Sequence, residues 1–267
     1  MTEILDMRRL WLLIRGDLIS DYRTLGITAA ALAALMLLSS MYTVSQFGES
    51  DSYYAFWYFA MLFVWGAILA SFSFRELHDK TKNEAYLLLP ASPLEKMLAR
   101  LLRATVGFFV FLLIFLTVTS AIIESANWLL FGRRNGLFDP SLGVVWWPVG
   151  HFIVCVSLYF LGAAWFRKLH FVKTALTLMA IPIVLSIFAG FILNIVFGPE
   201  DFRQLGADSE QLGVDWERGL YNYYLAHQGL FDALLGLGRI TYFFALPAFC
   251  WFVAWLRVKE TQVSHGV

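Results

Sequence analysis

Six apolar stretches, each near the length that crosses a hydrocarbon core, constrain this chain more than any other feature. They fall at about Leu25–Val44, Tyr53–Phe74, Ala104–Ile123, Val144–Phe166, Val172–Phe197 and Ile240–Leu256. A helix needs about 20 apolar residues to span a bilayer. The sixth is slightly short unless it begins before Gly238. Inside lipid every backbone polar group needs a partner within the segment, so six such runs imply six membrane helices. Composition agrees: 59% of residues are hydrophobic and 15% charged, against about a quarter charged in soluble domains. The expected fold class is an all-α integral membrane protein forming one domain, 1–267.

Charge sets the expected orientation. With the N-terminus in the cytoplasm, fifteen of the twenty Lys and Arg fall on inside segments. The outside segments hold Arg133, Arg134, Arg203, Arg218 and Arg239. The positive-inside bias therefore places both termini in the cytoplasm. Aromatic belts agree: Tyr53, Tyr54, Trp57 and Tyr58 open span two, and Trp128, Trp146 and Trp147 sit at the same outer face. Trp251 and Trp255 mark the inner end of span six.

Three extramembrane segments stand out. The first, residues 1–24, contains a helix over Glu3–Ser20 on which Ile4, Met7, Trp11, Ile14 and Leu18 share a face. That spacing predicts a helix lying in the membrane interface. The second, residues 75–103, is a charged stretch between spans two and three. A short helix is expected over Arg75–Leu89. Ser92-Pro93-Leu94-Glu95 then has the form of a capping box, with Ser92 as N-cap, Pro93 at N1 and Glu95 at N3. This stretch reads either as a well-capped loop or as a docking surface for a cytoplasmic partner. The third, residues 198–239, is acidic at first and amphipathic over Leu220–Leu237.

Within the spans, Gly26, Ala30 and Ala34 recur every four residues, a spacing that lets helices approach closely. Pro182 and Pro247 are expected to kink spans five and six. Cys155 and Cys250 lie in apolar runs and read as buried hydrophobes. The start lacks the short basic lead and small-residue cleavage site of a signal peptide. Zero net charge gives no basic field for nucleic acid.

Enzyme chemistry is poorly supported by pattern. The chain has no GxSxG, no HExxH and no phosphate-binding G-x-x-x-x-G-K-[ST] loop. His78, His151, His170, His227 and His265 are scattered. No Asp, Glu, Lys or Arg stands in the middle of a span, which weighs against an ion-coupled transporter. Glu124, Asn127, His151 and Asn194 lie toward outer ends and give no convergent cluster by spacing alone.

The order of parts resembles that of the membrane subunits of ABC type-2 exporters. The stretch Leu89-Pro90-Ala91-Ser92-Pro93-Leu94-Glu95-Lys96 looks like the segment after the coupling helix in bacterial members. The resemblance implies a permease of the bacterial cytoplasmic (inner) membrane, with no catalytic, cofactor or metal residues of its own. ATP and magnesium would sit on a separate ATPase subunit. The coupling segment would be Glu76, Leu77, Asp79, Lys80, Lys82, Glu84 and Tyr86, followed by the cap Ser92, Pro93 and Glu95. Glu3–Ser20 would be the connector helix, and Leu220–Leu237 the outer hairpin. A second permease copy, alike or a sister subunit, would pair with the first, and Gly26, Ala30 and Ala34 are the candidate contact. An assembly or signalling subunit that moves no solute is a competing reading, and an intramembrane lipid enzyme a third.

Overall fold

The computed structural model describes residues 6–74, 91–166, 169–188, 191 and 228–264. Among these, every regular element is helical. Six stretches are long and apolar enough to cross a membrane, the architecture of a multi-pass membrane protein. We number the helices α1 (Met7–Gln46), α2 (Tyr53–Ser71), α3 (Pro93–Phe131), α4 (Gly143–Trp165), α5 (His170–Phe188), α6 (Gln228–Ile240) and α7 (Leu246–Ser264). The sixth span, Leu235–Glu260, takes in the last part of α6 and most of α7 and so starts before Gly238. The chain divides into two compact units, 1–171 with 247–267, and 172–246.

The first 40 residues of helix correct one expectation. The segment over Glu3–Ser20 is not a separate interfacial helix: α1 runs without a break from Met7 to Gln46. Nothing between Ser20 and Leu25 interrupts it, since no proline stands there and Gly26 alone is tolerated in a helix. Asp6 caps its start, accepting from the Arg8 backbone N–H at 2.8 Å. At 1.5 Å per residue α1 is about 60 Å long, well beyond a ~30 Å hydrocarbon core. Met7, Trp11 and Leu18 are exposed as the apolar stripe predicts, while Leu10 is buried on the other side.

α3 is the partner of α1. Contacts join Asp6 to Glu95, Asp17 to Arg103 and Ser40 to Glu124, so both helices advance in the same direction along their whole lengths. α2 lies antiparallel to α1, with the Tyr53 hydroxyl donating to the Met36 carbonyl at 2.7 Å. The core of this unit is filled by Met36, Tyr58, Leu62, Leu112, Leu116 and Phe152. Gly66 of α2 sits tight against α4, where a Cβ would lie 2.5 Å from Phe152 Cε2. A second cluster joins Phe74, Met97, Leu101, Phe160, Ala254 and Val258.

α3 ends at Gly132, whose φ of 65° is the left-handed conformation that glycine adopts without strain. The connection to α4 tucks along α2. Asn135 accepts from the Ser50 N–H, Phe138 packs on Tyr58, and the Tyr58 hydroxyl donates to the Val145 carbonyl at 2.6 Å. In this connection the Ser141 hydroxyl and backbone N–H both donate to Asp139, holding its carboxyl below the usual carboxylate range. Trp146 packs edge-on to Phe109 of α3 and donates to the Pro140 carbonyl.

The two proline expectations resolve locally. α5 is helical on both sides of Pro182. A π-turn, Thr241–Ala245, stands just before Pro247. A proline lacks the N–H and its ring crowds the carbonyl four residues back, a position that falls within this wider turn. Cys155 and Cys250 are free thiols, half-buried and buried respectively.

Candidate functional site

The capping box forms as read. Ser92 Oγ accepts from the Glu95 N–H at 3.1 Å, and Glu95 Oε2 accepts from the Ser92 N–H at 2.7 Å, with Pro93 at the first helical position. Spacing did not reveal the third partner. Glu95 Oε1 accepts from the backbone N–H of Asp6 at 2.8 Å, 89 residues away. One fully buried carboxylate thus satisfies orphan N–H groups at the starts of two helices, which otherwise lack partners. The carboxylate also suits the positive ends of both helix dipoles.

The ends of the charged segment are held by this packing. Phe74 is fully buried, with its ring 4.7 Å from that of Phe160. Next to it the Arg100 guanidinium donates to the Ser73 carbonyl. At the other end stand Ser92 and Glu95. The predicted coupling residues Glu76, Leu77, Asp79, Lys80, Lys82, Glu84 and Tyr86 lie outside the described residues, as do Asn194 and most of the outer segment 198–239. Gly26, Ala30 and Ala34 are exposed on α1, and a Cβ on Gly26 would meet nothing within 4 Å. Among the described residues the stripe is thus unpacked.

A groove opens between α1, α2 and α3 beside the Asp17–Arg103 pair. Its volume is about 550 Å³, within the ~300–1,000 Å³ typical of ligand sites. Leu18 and Leu25 of α1, Leu69 of α2, and Arg103, Gly107 and Phe111 of α3 are among its lining. A narrower pocket of about 200 Å³ continues along the same helices, sharing Leu25, Leu69 and Phe111 and reaching Leu32, Met61 and Phe115. Two π-turns, Met61–Trp65 and Arg103–Gly107, contribute to these walls. Such turns recur at functional sites because they displace side chains from the regular helical register.

At the opposite end of α1 and α3, polar residues do converge, which corrects the expectation of no cluster. Glu124, about seven residues before the end of α3, is buried. Its Oε1 accepts from the Tyr54 hydroxyl at 2.6 Å and the Ser40 hydroxyl at 2.8 Å. Its Oε2 accepts from the Asn135 N–H at 2.7 Å and Asn127 Nδ2 at 3.0 Å. Ser40 Oγ in turn accepts from Asn127 Nδ2 and Asn135 Nδ2 at 2.8 and 2.9 Å. Every group facing the carboxylate is a neutral donor, the arrangement that sustains a buried carboxylate. Those donors fill its acceptor sites, and neither groove reaches it. The cluster therefore clasps α1, α2, α3 and the α3–α4 connection. His151 stands apart, with its ring 5.1 Å from that of Trp147.

No family model, curated protein or solved structure matches this chain.

Proposed function

We propose that this chain is the membrane-spanning permease subunit of an ATP-driven exporter of the ABC type-2 class. The reading rests on the resemblance around Leu89–Lys96, and one observation carries it further. The charged segment leaves from buried Phe74 and returns at Ser92, and the Glu95 cap there is bonded directly to the start of α1. A cytoplasmic partner pressing on residues 76–86 would act on a segment that begins beside α3 and α4 and ends at the joined starts of α1 and α3. These parallel helices would carry the displacement across the membrane as a rigid pair. The ATPase would be a separate cytoplasmic subunit binding ATP and magnesium. Its charged contacts with Glu76, Asp79, Lys80, Lys82 and Glu84 would set register and partner choice. The exposed stripe of Gly26, Ala30 and Ala34 suits a second permease copy. Both termini would lie in the cytoplasm of a bacterial cell.

The test is co-purification from native membranes followed by an ATPase assay. A stoichiometric ATPase whose turnover falls when Asp79 and Lys80 are charge-reversed supports the reading. A clean preparation without an ATPase, under conditions that preserve other membrane complexes, overturns it. An ATPase coupled to no solute movement in proteoliposomes would turn the assignment toward an assembly or signalling subunit.

A further inference from the structure

We propose that the groove between α1, α2 and α3 holds one zwitterionic phospholipid bearing a primary ammonium headgroup. One acyl chain would lie along the groove, with the phosphate on Arg103 and the ammonium on Asp17. This inference is independent of the transport reading.

Three observations select this occupant. The first is the distribution of charge. Arg103 lines the groove at the point where charges cease on α3, and no Asp, Glu, Lys or Arg follows until Glu124. On α1 none follows Arg23 through Gln46. A molecule entering from Arg103 therefore meets charge at one end and hydrocarbon along the rest. That is the polarity of a lipid at the membrane interface.

The second is the pair itself. Arg103 Nη1 lies 3.6 Å from Asp17 Oδ2, with side chains 16% and 27% exposed. The pair thus sets one positive and one negative charge side by side at the head of the groove. A phosphate and an ammonium can enter it so that each protein charge meets its opposite. An ethanolamine-type head brings three N–H donors to Asp17. A choline head brings none, and a glycerol head brings hydroxyls but no positive charge to meet the carboxylate.

The third is the floor. The π-turn Arg103–Gly107 brings Val106 and Gly107 to the groove, and a Cβ at Gly107 would meet only the Leu102 carbonyl, at 3.4 Å. The floor is thus open to a slender chain. A second copy of α1 is the competing occupant. The residues that permit close helix approach, Gly26, Ala30 and Ala34, line neither groove, whereas bulky Leu25 and Phe111 do.

The experiment is native mass spectrometry of the full chain in mild detergent. Lipid retained on purification is measured first, then binding of added phosphatidylethanolamine, phosphatidylcholine and phosphatidylglycerol after delipidation. We expect one phosphatidylethanolamine per chain, preferred over phosphatidylcholine by about tenfold, the scale of one charge-assisted hydrogen bond. Gly107→Leu should abolish retention and Gly107→Ala should keep it. Asp17→Asn, a change at a partly exposed site that leaves the floor intact, should bring the two zwitterionic lipids to equal binding. The proposal is overturned if Gly107→Leu, folded by its melting curve, retains the wild-type lipid count. It is equally overturned if Asp17→Asn leaves the preference intact, if phosphatidylglycerol binds best, or if no phospholipid binds. Efficient cross-linking between two chains through Val110→Cys would assign the groove to a second copy instead.

Discussion

Replacing Glu124 by glutamine is the sharpest probe of the fold, because it keeps shape and changes hydrogen-bond polarity. The carboxylate receives two hydroxyls on Oε1 and two N–H groups on Oε2. If the new amide nitrogen replaces Oε2, it faces the backbone N–H of Asn135, which cannot invert. If it replaces Oε1, it faces Ser40 Oγ, whose acceptor sites already serve Asn127 and Asn135. Either orientation strands at least one buried donor, at ~1–3 kcal/mol, and weakens the remaining charge-assisted bonds. A loss of ~3 kcal/mol follows, or ~6–12 °C in Tm for a chain of this size. Tyr54→Phe removes a single donor and should cost ~1.5 kcal/mol. Ser40→Ala removes one donor and strands two amide N–H contacts, so it should fall between them at ~2 kcal/mol. The assay is thermal unfolding in mild detergent, with all three variants compared at one protein concentration. A melting temperature for Glu124→Gln within ~1 °C of wild type would refute the clasp, as would Tyr54→Phe proving the more damaging change.

Further outcomes follow from other contacts. Glu95→Ala should release the start of α1, raising amide exchange over Met7–Leu10 while Leu112–Leu116 stays protected, at ~1–2 kcal/mol for a lost cap. Unchanged exchange there would sever the proposed link between the two helix starts. Gly66→Ala should destabilise by ~1–3 kcal/mol, because its Cβ would overlap the Phe152 ring, and Phe152→Leu in the same chain should recover part of the loss. Failure of the second change to recover any stability would count against the close approach of α2 and α4. Tyr58→Phe should lower stability by ~1 kcal/mol through loss of its bond to the Val145 carbonyl, read in the same melting assay.

The parts of this protein visible in its sequence are those that depend on near neighbours along the chain. Apolar runs define the six spans because a hydrocarbon core demands length and uniform polarity of any helix crossing it. Ser92 and Glu95 are three residues apart, so their reciprocal bonds could be read directly. What tertiary structure decided lies between segments far apart in sequence. Glu95 gains Asp6 from 89 residues away, and that bond joins two helix starts that the linear pattern treats as separate. The exposed stripe of Met7, Trp11 and Leu18 suggested a helix set apart in the interface. The buried Leu10 face and the Asp17–Arg103 pair instead hold that stretch against α3 as part of one continuous helix.

Glu124 shows the same limit most clearly. Along its own helix it is a lone acid near the end of an apolar run. It gathers a cluster because Ser40, Tyr54 and Asn135 reach it from α1, α2 and the connection that follows α3. The groove was hidden for a related reason, since its walls come from three helices and its floor from a π-turn. Local sequence determines which residues must be helical and which must leave water. Only packing decides which polar groups meet, because a buried donor or acceptor is satisfied by whatever segment the fold brings beside it.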